Sequence, residues 1–86
     1  RPFDANATAP ENFRQIFSFE GQVVLNKPLA LETKGTRIKL WSFDPKAQAI
    51  LFATQLGESL EGYGYLSRYN GEWQLVVEER AWLGKQ

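Results

Sequence analysis

Glu78 and Glu79 come nearest to a carboxylate pair in this chain of 86 residues. Adjacent residues on a strand point to opposite faces, so the two cannot share one substrate oxygen as a general acid and base must. The register derived below turns Glu79 inward, opposite Gly62, at the mouth of a barrel. There it is either wetted by solvent or serves as a candidate ligand anchor or general base. Gly62-x-Gly64 has the spacing of a phosphate-cradling loop. Such loops open a helix whose amides face the anion, and Tyr65-Leu66-Ser67-Arg68-Tyr69 reads as a strand instead. The two glycines are therefore expected on the inward face, where they leave room for bulky neighbours. Arg68 and Trp73 lie symmetrically about Asn70-Gly71 and are expected to form a cross-strand cation–π pair. Asn6-Ala7-Thr8 fits the N-glycosylation pattern, one that chance supplies often.

Composition narrows the chemistry further. The chain has no His, Cys or Met. Without Cys there are no disulfides, thiolate nucleophiles or zinc–sulfur sites, and without His the usual general base and commonest metal ligand are missing. No nucleophile–base–orienter set is visible among the Ser, Lys, Tyr and Glu that remain, so no enzymatic activity, cofactor or metal is expected. Ten Lys and Arg balance ten Asp and Glu. That neutrality argues against duplex nucleic acid and against anionic membrane, both of which need a basic excess. No apolar window approaches the ~18 residues of a membrane span, and no signal-peptide core is present. Since the chain starts without Met, it reads as a processed chain or a fragment.

The elements that carry these residues follow from their periodicity. Arg1 to Gln15 holds two prolines and no repeat, and reads as an irregular N-terminal arm. The remainder, 16–86, reads as a single β domain. From Ile16 apolar residues alternate, with Phe17, Phe19, Val23 and Leu25 on one face. Asn26-Lys27-Pro28 is a turn, followed by strand-like runs at 29–33, 36–43 and 49–54, with turns at Lys34-Gly35 and Asp44-Pro45. Two aromatic and β-branched runs around Asn70-Gly71 give the strongest hairpin signal in the chain. Turn lengths then fix the register, because a one-residue slip reverses every face. They set Leu25 opposite Leu29, Val23 opposite Leu31, Leu31 opposite Ile38, Glu32 opposite Arg37, Leu66 opposite Leu75 and Gly64 opposite Val77. The expected fold is all-β: a six-stranded antiparallel meander curled into a small barrel of SH3 or OB-fold size.

In that register Arg37, Lys39, Trp41, Leu51, Tyr63, Tyr65, Tyr69, Val76 and Glu78 face outward. A solvated sheet face is polar at nearly every second residue, and this one is half aromatic at its centre. The arm covers it through Phe3 and Phe13, or a partner protein or second copy does, or it stacks unpaired bases. The preferred expectation is a non-catalytic module for protein–protein interaction. Its anchors are Trp41, Tyr63, Tyr65 and Tyr69, with Arg37, Lys39 and Glu78 on the rim. The alternatives are an OB-like domain for single-stranded nucleic acid and a small apolar ligand held inside the barrel.

Overall fold

The computed structural model describes residues 1–84, which form a closed, mixed barrel of five strands with one helix. The strands are β1 (Ile16–Asn26), β2 (Leu29–Thr33), β3 (Thr36–Trp41), β4 (Ser59–Tyr69) and β5 (Glu72–Val76), and helix α1 (Pro45–Ala53) lies between β3 and β4. Their order around the barrel is β1-β2-β3-β5-β4, with β4 returning to β1. The fold thus departs from the expected meander in three ways: it has five strands, β3 and β5 run parallel, and sequence neighbours β3 and β4 are not adjacent.

The missing strand is the helix. Asp44-Pro45, expected to open a turn, starts α1. The Asp44 carboxylate accepts the Ala47 N–H at 2.9 Å, and Pro45 occupies a first-turn position where its missing N–H costs nothing. Ala47, Ala49 and Ala53 favour the helix, and Ala47 and Leu51, one turn apart, are its buried residues. Leu51 is consequently 2% exposed where a strand would have turned it outward, and Phe52 is 65% exposed where a strand would have turned it in.

Local pairings follow the turn counts closely. Lys34-Gly35 and Asn70-Gly71 each have positive φ at both residues, as a two-residue type I′ hairpin loop requires. They set Leu31 opposite Ile38, Glu32 opposite Arg37, Leu66 opposite Leu75 and Arg68 opposite Trp73. At the first turn the register differs. Val23 pairs with Leu31, but the ladder shifts between Val23 and Leu25, and Leu25 meets Ala30 rather than Leu29 and is 42% exposed. A bulge admits one extra residue, here Val24, and reverses the faces beyond it.

β1 closes the barrel by pairing with β4 over Ile16 to Gln22 and with β2 over Gln22 to Asn26. Gly21 sits at that corner, where a Cβ would strike the Glu32 carbonyl oxygen. Phe17, Phe19, Val23, Leu31, Ile38, Leu66 and Leu75 fill the interior. The arm completes this core. It is pinned to β1 by the Phe3 N–H donating to the Ser18 carbonyl at 2.8 Å, and Phe3 is buried against Phe17. At the other terminus Leu83 pairs with Gly62, and a Cβ at Gly62 would collide with the Trp82 carbonyl oxygen. Gly62 is therefore required by a crossing chain segment and not by a bound phosphate. The β4–β5 ladder ends at the Tyr65–Val76 pair and Gly62 meets Leu83, so the expected pairs Gly64–Val77 and Gly62–Glu79 do not form.

Candidate binding face

β3 carries Arg37, Lys39 and Trp41 on its outward side, because Ile38 and Leu40 between them are buried. Pairing with β5 sets Lys39 beside Gln74 and Trp41 beside Val76. Val76 pairs in turn with Tyr65 of β4, and Tyr65 with Ile16 of β1, so one outer row reads Trp41, Val76, Tyr65, Ile16 across four strands. Val76 was expected to be exposed on this row; it is 2% exposed, and its register partners on either side are the larger Trp41 and Tyr65.

Trp41 sits between two rings, of which Phe52 is one that the strand pattern alone does not bring to it. Phe43, just past β3, meets the indole edge-on with centroids 6.1 Å apart, and Phe52 from α1 lies at 6.1 Å on a tilt of 55°. Two apolar depressions share Trp41, Leu40 and Pro28 as walls. One, of about 320 Å³, is completed by Lys39, Phe43, Tyr69 and Gln74. The other, of about 480 Å³, is completed by Asn26, Lys27, Leu29, Leu51 and Phe52. None of these residues belongs to the arm, so the arm leaves the Trp41 end of the face open; Phe3 lies in the core, Phe13 is half-exposed, and Arg14 of the arm lies over Tyr65.

The charge beside Trp41 is partly satisfied within the chain. Lys39 forms an ion pair with Glu72 at the start of β5, the one salt bridge among the described residues. Arg37 faces Glu32 across the β2–β3 hairpin without an ion pair. Arg68 lies over the Trp73 ring at 4.5 Å, the expected cross-strand pair, and also donates to the Gly71 carbonyl at 3.2 Å, tying the turn to its strand. These groups offer stacking, apolar contact and ion pairing. The buried core cluster occupies the barrel interior, and the two apolar depressions at Trp41 lie against the outward side of β3.

Of the site residues expected from sequence, Lys39, Trp41 and Tyr69 come together around the first depression, and Arg37 continues the same face towards the hairpin turn. Tyr65 joins through Val76, but its ring is already occupied by the Arg14 guanidinium at 5.4 Å. Tyr63 faces elsewhere. It pairs with Ser18 and lines a separate depression with Glu20, Glu61 and Trp82. Glu78 is exposed beyond the end of β5. Glu79 is not an inward anchor. It is exposed, immediately before the 3-10 turn Arg80–Trp82, because the chain leaves the barrel wall once β5 has ended.

Sequence reasoning missed Pro28, Phe43 and Phe52. Phe52 was recoverable: reading Asp44-Pro45 as a helix start puts Ala47 and Leu51 on the inner side and leaves Phe52 out. Phe43 was recoverable too: in the expected strand 36–43 it lies two residues past Trp41, on the same outward side. No family model and no curated protein matches the chain.

Proposed function

We propose that the protein is a non-catalytic binding module that takes a protein partner on the Trp41 face. The observation behind this reading is a cluster of three touching rings, Trp41, Phe43 and Phe52, of which Phe43 is 72% and Phe52 65% exposed. Rings that serve only the fold are withdrawn from water, since burial is what makes them stabilising. A contiguous aromatic patch rimmed by polar residues is typical of an interface, and Trp and Tyr are the residues most often found at its energetic centre. Pairing of Lys39 with Glu72 leaves the middle of the face apolar, which suits a polypeptide better than a polyphosphate.

A second reading, single-stranded nucleic-acid binding, draws on connectivity. The order β1-β2-β3-β5-β4 with a helix after β3 is that of OB barrels, which bind oligonucleotides on strands 2 and 3 between the loops that follow strands 1 and 4. Those loops here are residues 27–28 and the Asn70-Gly71 turn, and Pro28 of the first and Tyr69, which precedes the second, line one depression with Trp41. Zero net charge and the Lys39–Glu72 pair weigh against it.

Selection of displayed random peptides on the immobilised protein tests the first reading. Enriched peptides are expected to lose at least about tenfold in affinity for Trp41→Ala and for Phe43→Ala, with the thermal transition retained. Peptides that bind both variants as well as the wild type would remove Trp41 from the site and the reading with it.

A further inference from the structure

We infer that the partner segment bound at Trp41 is acidic: an extended stretch with one apolar side chain on each side of the indole and carboxylates two to four residues away. This rests on the reading of the face as a protein-binding surface and adds the chemistry of the partner.

The warrant is charge complementarity. The chain as a whole is neutral, but its charge is unevenly spread. Residues 27–41 hold Lys27, Lys34, Arg37 and Lys39 against Glu32 alone, a net charge of +3, while the remaining residues hold six cations against nine carboxylates. This basic segment carries Trp41, the ring at the centre of the aromatic cluster, while Phe43 and Phe52 lie beyond it. Arg37 and Lys39 share the outward side of β3 with Trp41, Lys34 sits at the turn leading into that strand, and Lys27 forms part of the wall of the second depression. Only Lys39 is neutralised. Lys27, Lys34 and Arg37 have no ion-pair partner among the described residues.

The spacing sets the length of the ligand. A strand rises about 3.3 Å per residue, so Arg37 lies about 13 Å along β3 from Trp41. An extended peptide lying alongside covers that distance in about four residues. The two depressions share Trp41 as a wall, so two apolar side chains fit, one on each side. Extended and polyproline II segments present spaced side chains to aromatic-lined grooves in this manner. A nucleic acid fits less well. It carries a phosphate at every step and would bring some of them against Glu32 and Glu72, whereas a peptide carries carboxylates only where cations meet them.

The experiment uses three short synthetic peptides that share a Pro-Leu-Pro-Leu core and differ four residues away, in Asp/Glu, Ser/Gln or Lys/Arg. Each is titrated into the whole protein and followed by tryptophan fluorescence, beside an oligothymidylate. The acidic peptide is expected to bind about tenfold more tightly than the neutral one at about 50 mM salt, and the gap to close towards about 0.5 M. In the double variant Lys27→Glu, Arg37→Glu the order of acidic and basic peptides should reverse. Equal affinity for all three peptides, lost in Trp41→Ala and Phe43→Ala alike, overturns the acidic assignment and leaves the protein-binding reading standing. Failure of every peptide to bind, or binding that survives both variants, overturns the reading and the inference together. An oligothymidylate that binds more tightly than the acidic peptide, with steep salt dependence, overturns the inference in favour of nucleic acid.

Discussion

Phe3 and Phe43 take part in nearly the same ring geometry with opposite relations to water. Phe3 meets Phe17 edge-on with centroids 6.1 Å apart, and Phe43 meets Trp41 edge-on at the same distance. Phe3 is 1% exposed and Phe43 is 72% exposed. An edge-to-face contact contributes about 0.5–1.5 kcal/mol beyond the area it buries, so the contact alone does not distinguish the two. Burial does. One ring, delivered by an arm without regular periodicity, completes the barrel core. The other, delivered by a well-formed strand end, is left in water beside an indole and across it from Phe52. Ring geometry describes a pair; only solvent access says whether the pair serves the fold or is available to a partner.

That contrast can be broken by substitution. The largest effect is expected for Phe3→Ala, at about 3–5 kcal/mol of stability, the usual cost of emptying a buried Phe site. Urea denaturation measures it. A loss below about 1 kcal/mol would mean that the arm is dispensable and Phe3 is no part of the core. Asp44→Ala comes next, at about 1 kcal/mol, because it removes the cap on the Ala47 N–H at the start of the helix that holds Phe52 against Trp41. Its denaturation midpoint should fall and its tryptophan emission should change. An unchanged spectrum would show that the ring cluster does not depend on the helix start. The smallest effects are expected for Phe43→Ser and Phe52→Ser, about 0.5 kcal/mol each, the low end of what a ring contact with Trp41 contributes at a surface position. A cost of several kcal/mol at either would make it a core residue, and the comparison with Phe3 would collapse.

The parts of this architecture that were legible in advance are those set within a few residues. Lys34-Gly35 and Asn70-Gly71 each admit a two-residue loop with positive φ, and from each the cross-strand partners follow by counting. The outward placing of Arg37, Lys39 and Trp41 came from the same alternation. Where the reading failed, one local pattern had two solutions. Asp-Pro suits the start of a helix as well as a turn, and Ala49 to Thr54 is a short apolar run that periodicity alone does not assign. Choosing a strand there exchanged the faces of Leu51 and Phe52 and hid half of the ring cluster. The bulge at Val24 was invisible for a related reason. Val24 is apolar where the alternation calls for a polar residue, but that alone does not mark an extra residue; the shift shows in the ladder, where Val23 still meets Leu31 and Leu25 meets Ala30.

By itself, then, the sequence determined a small β-rich barrel, two tight hairpins and an aromatic, partly basic strand face, since turn chemistry and side-chain alternation act between near neighbours. Tertiary structure decided the rest: closure of β1 onto β4, insertion of β5 beside β3, the arm's Phe3 in the core and the meeting of Trp41 with Phe43, Phe52 and Pro28. Trp41 with Phe43 is the one local contact among these; the others join residues well separated in the chain and are selected by the apolar area buried and the strand edges satisfied, quantities that belong to the assembled barrel and not to any stretch of it.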